Sequence, residues 1–303
     1  MLDGPMRFGL TTPVVTHHPD HGAPWEEDAG PAEIARIAAA ADRLGYHHVT
    51  CSEHVAIPLA AAPVRGARYY DPLATFGFLA ARTERLRFLT HVLVLPYHHP
   101  LAIAKRYGTL DRLSGGRLIL GVGVGTLEEE FTLLGAEFAG RGTRYEDGLR
   151  ALRAAFGRRE PAYTGLHYRF GGFLVDPSGV QRDVPIWLGG RSPRSLRRAL
   201  ALGDGWDPFR FTLAELALLL PRARVWREWR ERTAPFEVVL TLDRLLDPTL
   251  RDECAALVDL VARYQAIGAT VVNLRFRHRS LEHYLEQLAV FAETVAPGFA
   301  STP

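Results

Sequence analysis

LDRLSGGRLILGVGVG, residues 110–125, contains one complete join between a helix and a buried strand. Leu110 to Leu113 end an apolar pattern of helical period that begins at residue 101, and Ser114-Gly115-Gly116 turns the chain. Residues 118–122 are then aliphatic without alternation, as in a strand covered on both faces. A two-face-buried strand joined to an amphipathic helix is the repeating unit of a parallel sheet. Working outward, the same unit recurs. Strands are predicted at 7–11, 48–52, 86–95, 118–122, 185–188, 205–208, 236–241 and 270–275. Helices are predicted at 31–44, 72–82, 101–113, 141–156, 193–202, 212–232, 251–267 and 280–295. Gly30-Pro31, Asp71-Pro72 and Ser192-Pro193 place a turn or capping residue before a proline suited to the first helical position.

Eight strands and eight helices in 303 residues predict an α/β fold, a (β/α)8 TIM barrel formed by residues 1–303 as one domain. A doubly wound sheet of six or seven strands is the competing arrangement. Three connections exceed what a minimal barrel needs: 12–30, 53–70 and 158–183. In the third, Tyr163, Leu166, Tyr168, Phe170, Phe173 and Val175, punctuated by Gly165 and Gly171-Gly172, predict a small β-hairpin insertion, expected to cap one end of the cleft.

Composition removes several function classes. Lys+Arg is 36 against Asp+Glu 34, a formal charge of +2, too balanced for a dedicated nucleic-acid binder. Lys105 is the sole lysine and sits inside a predicted helix, which argues against Schiff-base and pyridoxal chemistry. Cys51 and Cys254 are the only cysteines, and residues 1–10 carry no apolar signal segment, so a cytoplasmic location without a disulfide is expected. No apolar run approaches the ~20 residues of a membrane span.

The chemistry is expected at the strand ends. Gly121-Val122-Gly123-Val124-Gly125 is neither a dinucleotide fingerprint, since Thr126 and Glu128 stand where glycine would be required, nor a P-loop. Its glycines either let backbone approach a flat ligand or pack a tight barrel corner. Trp187-Leu188-Gly189-Gly190-Arg191-Ser192-Pro193 runs from a strand through two glycines to a capped helix start, an arrangement that cradles an anion, with Arg191 as an additional donor; a plain turn uses the same residues. Ser52-Glu53-His54 ends the second strand, where His54 could handle a proton and Glu53 fix its tautomer. No metal site is expected: His47 and His48, like His98 and His99, would point to opposite faces of an extended chain, and His17, His18 and His21 form only a loose trio. Glu128, Glu129 and Glu130 read as a solvated first helical turn, and Arg141 with Arg144, like Arg191 with Arg194, as solvated helix faces.

Several segments together resemble the luciferase-like monooxygenase superfamily, in particular its branch of oxidoreductases dependent on the deazaflavin coenzyme F420. They are residues 40–46 leading to Ser52-Glu53-His54-Val55, residues 90–96 followed by His99-Pro100, residues 110–125, and Gly189 to Ser192 with residues 202–206. The resemblance implies a ring held in the barrel mouth against a bulge of the third strand, with a non-prolyl cis peptide falling between His91 and Leu93. It places cofactor contacts at His91, Val92, Leu93, Gly123, Val124 and Gly125, a phosphate loop at Gly189, Gly190, Arg191 and Ser192, and catalysis at His54 with Glu53. It further implies hydride transfer to or from a small organic substrate, and a homodimer. Glu53 replaces the aspartate of many relatives, and Thr126 the tryptophan of many or the catalytic glutamate of the sugar-phosphate dehydrogenases, which argues against a sugar-phosphate substrate. An FMN-dependent monooxygenase and a non-catalytic cofactor-binding protein are the alternatives.

Overall fold

Eight parallel strands close on one another in a computed structural model that describes residues 5–20 and 22–300. They are β1 (Arg7–Leu10), β2 (His48–Cys51), β3 (Arg87–Thr90), β4 (Leu118–Gly123), β5 (Ile186–Gly190), β6 (Gly205–Pro208), β7 (Glu237–Thr241) and β8 (Val271–Leu274). Neighbours in sequence are neighbours in the barrel. β4 pairs with β5 from Leu120↔Ile186 to Val122↔Leu188, and β8 returns to β1 from Val271↔Arg7 to Leu274↔Leu10, which closes the sheet and excludes the open, doubly wound arrangement.

The helices alternating with them are α1 (Pro31–Arg43), α2 (Pro72–Ala80), α3 (Pro100–Leu113), α4 (Arg141–Ala155), α5 (Pro193–Leu202), α6 (Leu213–Ala223), α7 (Arg251–Ala266) and α8 (Leu281–Val290). Asp71 caps α2 by accepting from the Ala74 amide at 2.8 Å, and Ser192 caps α5 through the Ser195 amide at 3.3 Å. Leu89, Ile119, Trp187, Val239 and Val271 meet in a separate apolar cluster, the side chains that point inward from five strands. The alternate strand residues, such as Phe88, Leu118, Leu188, Val238 and Val272, pack outward with the helices.

Four local predictions are corrected. The strand expected over 86–95 stops at Thr90, passes a cis peptide between His91 and Val92, and resumes at Leu93–Val94 beside Val122 and Gly123. The helix expected over 212–232 ends at Ala223, two residues after the internal Pro221, and a short turn follows at Arg227–Arg230. The 158–183 hairpin forms, Tyr163–Thr164 against Arg169–Phe170, but it does not cap the cleft. None of its residues lines the cavity: it packs on the outside of the barrel, with Tyr168 and Phe170 against His99 before α3, and Asp147 of α4 accepts from the Tyr163 hydroxyl and the amides of residues 166, 167 and 168. Finally, His47 and His48 do not diverge: their Nδ1 atoms are 2.9 Å apart, because His47 precedes the first paired residue of β2.

Candidate active site

The C-terminal ends of the strands surround a cavity of about 670 Å3, in the size range of small-molecule sites. Of the residues singled out in the sequence, His54, Glu53, His91, Val92, Gly123, Val124, Gly125, Gly189, Gly190, Arg191 and Ser192 lie on its wall. Leu93 does not: its side chain is fully buried and packs into the core. The loops 12–30 and 53–70 meet above as an antiparallel ribbon, Thr16–His17 against Arg68–Tyr69.

His54 leaves β2 toward the cavity, and its Nδ1 is 2.7 Å from Glu130 Oε2. Glu130 also accepts from the Val55 amide at 2.6 Å and the Tyr97 hydroxyl at 2.9 Å. Burial alone would raise the Glu130 carboxyl, but the hydrogen bond and charge of His54, followed by Tyr97 and the Val55 amide, hold it below the ordinary range. The partner expected for His54 was Glu53, and that expectation is wrong. Adjacent residues diverge, and Glu53 instead accepts from the Val94 amide at 2.7 Å and faces His98 Nε2 at 2.8 Å, bracing the bulge after β3. Glu130 is also the exception to the solvated acidic turn: its side chain has no exposed surface. A signal existed, since Leu127, Phe131 and Leu134 mark one helical face and Glu130 falls on it.

On the bulge, His91 Nε2 lies 3.2 Å from Oδ2 of Asp207, whose side chain is wholly buried on β6. Burial opposes the imidazolium, but the Asp207 carboxylate outweighs it and raises the His91 pKa. Ser52 Oγ fixes the bulge by donating to the His91 carbonyl at 2.7 Å.

The glycines of β4 serve the bulge first. A Cβ at Gly123 would come within 2.6 Å of Val92 Cγ2, so the missing side chain makes room for Val92, which in turn presents an apolar surface to the cavity. On β5, Gly190 has φ +149°, and a Cβ there would lie 2.3 Å from Ser195 Cβ. Backbone without side chains thus leads from the strand into the capped start of α5, whose first-turn amides and dipole favour an anion.

Arginines complete this cradle. Arg191 is exposed on its rim without an ion-pair partner among the described residues. Arg141, read from sequence as part of a solvated face, lines the cavity instead: its Nε donates to the Gly125 carbonyl at 3.2 Å and its guanidinium stacks 3.5 Å over the Phe138 ring. Among the described residues no group of three or more His, Cys, Asp or Glu could hold a metal; His21 of the loose histidine trio lies outside them. The basic, tryptophan-bearing segment around 222–230 is tied up on the exterior, with Arg197 over Trp226 and paired with Glu228. No described helix is long and apolar enough to cross a membrane.

The chain is similar to known proteins along most of its length. The family model for luciferase-like monooxygenases matches residues 6–296. A Mycobacterium tuberculosis protein of uncharacterized function is 30% identical over 276 residues, covering 83% of this chain and 93% of its own. A Nakamurella multipartita protein named F420-dependent glucose-6-phosphate dehydrogenase is 30% identical over 211 residues, 68% of this chain and 57% of its own. The crystal structure of a monooxygenase from Streptomyces bottropensis superposes with a TM-score of 0.76 at 22% identity, over 97% of this chain and all of that one. A barrel with this cavity, matched by one family model from its first strand to beyond its last helix, is an oxidoreductase that belongs to the luciferase-like monooxygenase family.

Proposed function

We propose that the chain binds coenzyme F420 and transfers a hydride between its deazaflavin ring and a small organic substrate. The observation that carries this reading is the placement of two complementary features on one cavity: a glycine-lined, arginine-rimmed anion cradle and a His54–Glu130 pair able to move a proton. The residues present fit such a coenzyme. Gly189 and Gly190 with the start of α5 suit a phosphate, and Val92 and Val124 give apolar surface for a planar ring. When bound, F420 supplies or accepts the hydride.

The protein's own residues do the remaining work. Glu130, ionised and immobilised by Val55 and Tyr97, holds His54 through Nδ1, which leaves Nε2 as the ring nitrogen available to exchange a proton with substrate. Glu53 and Ser52 hold the bulge, and with it the apolar face of Val92, in place. Arg141 and Arg191 add positive charge at the cradle. Relatives named as an F420-dependent glucose-6-phosphate dehydrogenase and a putative coenzyme F420-dependent oxidoreductase support this choice of coenzyme.

The test is titration of the purified protein with F420 and with FMN, followed by fluorescence quenching. F420 is expected to bind at least tenfold more tightly, and reduced F420 bound to the protein should be reoxidised by a substrate. Equal or tighter FMN binding would favour a flavin monooxygenase, and binding without turnover a cofactor carrier.

A further inference from the structure

Buried charges in proteins are paired, because an uncompensated one costs several kcal/mol. Arg275, partly buried on the cavity wall, has no carboxylate partner among the described residues. It follows β8 directly and lines the cavity. Its Nε is buried without an acceptor, and its one described hydrogen bond runs from Nη2 to the Leu242 carbonyl at 3.3 Å. Burial lowers its pKa with only the Tyr264 hydroxyl opposing, and no carboxylate contributes.

Other unsatisfied donors lie on the same side. The Thr11 amide donates to the Leu274 carbonyl at 3.0 Å, which joins the ends of β1 and β8, and the Thr11 hydroxyl is buried without a partner. Tyr284 of α8 is only 1% exposed, lines the cavity, and its hydroxyl is likewise unpartnered. The barrel order places β1 and β8 diametrically across from β4 and β5, so this wall faces the phosphate cradle from the far side of the mouth.

We propose that Arg275, with the hydroxyls of Thr11 and Tyr284, forms the substrate subsite, and that the substrate is an organic monocarboxylate whose reducible bond adjoins the carboxyl group. The single guanidinium matches one carboxylate through its planar fork. Glu26, buried on the same wall and held by the Val14 and Ala23 amides at 2.7 and 2.8 Å, opposes any anion there and a dianion such as a phosphate monoester more than a monocarboxylate. Coenzyme F420 carries carboxylates of its own on the glutamyl tail, but that tail is joined through the phosphate, which would anchor it at the cradle. The inference rests on the proposed assignment of that cradle to the coenzyme.

Calorimetric titration of the whole protein, with and without saturating F420, using cinnamate and cinnamamide as probes, tests it. Cinnamate is an alkene conjugated to a single carboxylate, and its amide has the same shape without the charge. Saturable cinnamate binding is expected, at least tenfold tighter than the amide. Arg275→Gln should weaken cinnamate at least tenfold and leave the amide and F420 within twofold. Arg275→Lys, which keeps the charge and loses the fork, should fall between, and carries the test if the glutamine variant does not fold. Equal affinity for acid and amide, or no cinnamate binding, overturns the subsite. So does a tenfold loss of F420 affinity in Arg275→Gln with cinnamate unaffected, which would assign Arg275 to the coenzyme's tail. If wild-type protein fails to bind F420 yet still discriminates acid from amide through Arg275, the coenzyme assignment falls and the subsite stands.

Discussion

His54 and Glu130 are 76 residues apart, and the chemistry proposed for the site depends on their meeting. A histidine bound at Nδ1 by an ionised carboxylate has one ring nitrogen left for the substrate, in a fixed orientation. Replacing His54 with Asn keeps a polar group but removes the imidazole. The expected result is a fall of roughly 10² to 10⁴ in the single-turnover rate of hydride transfer, with F420 affinity changed far less. A rate within about threefold of wild type would make His54 a structural residue. The pair also shows where sequence legibility ends. His54 could be placed because it closely follows a strand end, whereas its partner was hidden in a run of three glutamates whose composition says solvent. Pairing across 76 residues is set by how the loop after β4 folds back over the mouth, and local pattern carries no record of that. Asp207 was missed for the same reason: it sits within a correctly bounded strand, but strand pattern does not say that it meets His91.

Elements were more legible than partners. Most barrel strands, β4 and β7 above all, were visible as aliphatic runs, because a strand covered by helices on one face and the barrel interior on the other has no polar alternation to maintain; β6, Gly205-Trp206-Asp207-Pro208, has no such run. The break after β3 was invisible to that pattern, since Val92 to Leu95 stay aliphatic through the bulge, and only the resemblance pointed to it. The β5–α5 turn shows a different limit, for its glycines have two roles at once. Gly190 belongs to the proposed phosphate cradle, yet any side chain there meets Ser195 in a backbone conformation that L residues rarely adopt. Gly190→Ala is therefore expected to cost about 1–3 kcal/mol of stability, and its effect on binding cannot be read separately. Arg191, exposed and unpaired, gives the cleaner probe. Arg191→Glu should leave the unfolding midpoint within about 2 °C of wild type, since an exposed charge contributes little to stability. It should weaken F420 about tenfold or more by reversing a charge beside the phosphate. Unchanged F420 affinity in the folded variant would remove this loop from the site.

At the scale of the whole molecule, the buried histidines set the response to acid. Burial, reinforced by His48, Arg7 and Arg87, pushes His47 down to about 2, and burial takes His48 down to about 3 despite its hydrogen bond to Asn273. His278 is lowered to about 4 by burial and by His283. All three are neutral in the folded protein at pH 5, while in the unfolded chain each binds a proton below its ordinary value of 6.5. The unfolded state thus takes up more protons as pH falls below 6.5, and the fold loses stability at up to about 1.4 kcal/mol per pH unit for each such histidine. His91 has the opposite sign. Its pKa is raised, chiefly by Asp207 acting against burial, so its contribution is fully present below 6.5 and fades as pH rises through its folded value. One such group against three leaves a net loss toward acid, and below about 4.5 the lowered carboxyls of Glu130, Asp147 and Asp247 add to it. Chemical unfolding at intervals between pH 7.5 and 4.5 should show stability falling from about pH 6.5, before the carboxylates titrate. In His48→Asn, which retains a polar partner for Asn273 but cannot bind a proton, the slope between pH 6 and 4.5 should be shallower by about 1.4 kcal/mol per unit. An unchanged slope would mean that the ring of His48 is protonated in the folded barrel and that the cost of acid arises elsewhere.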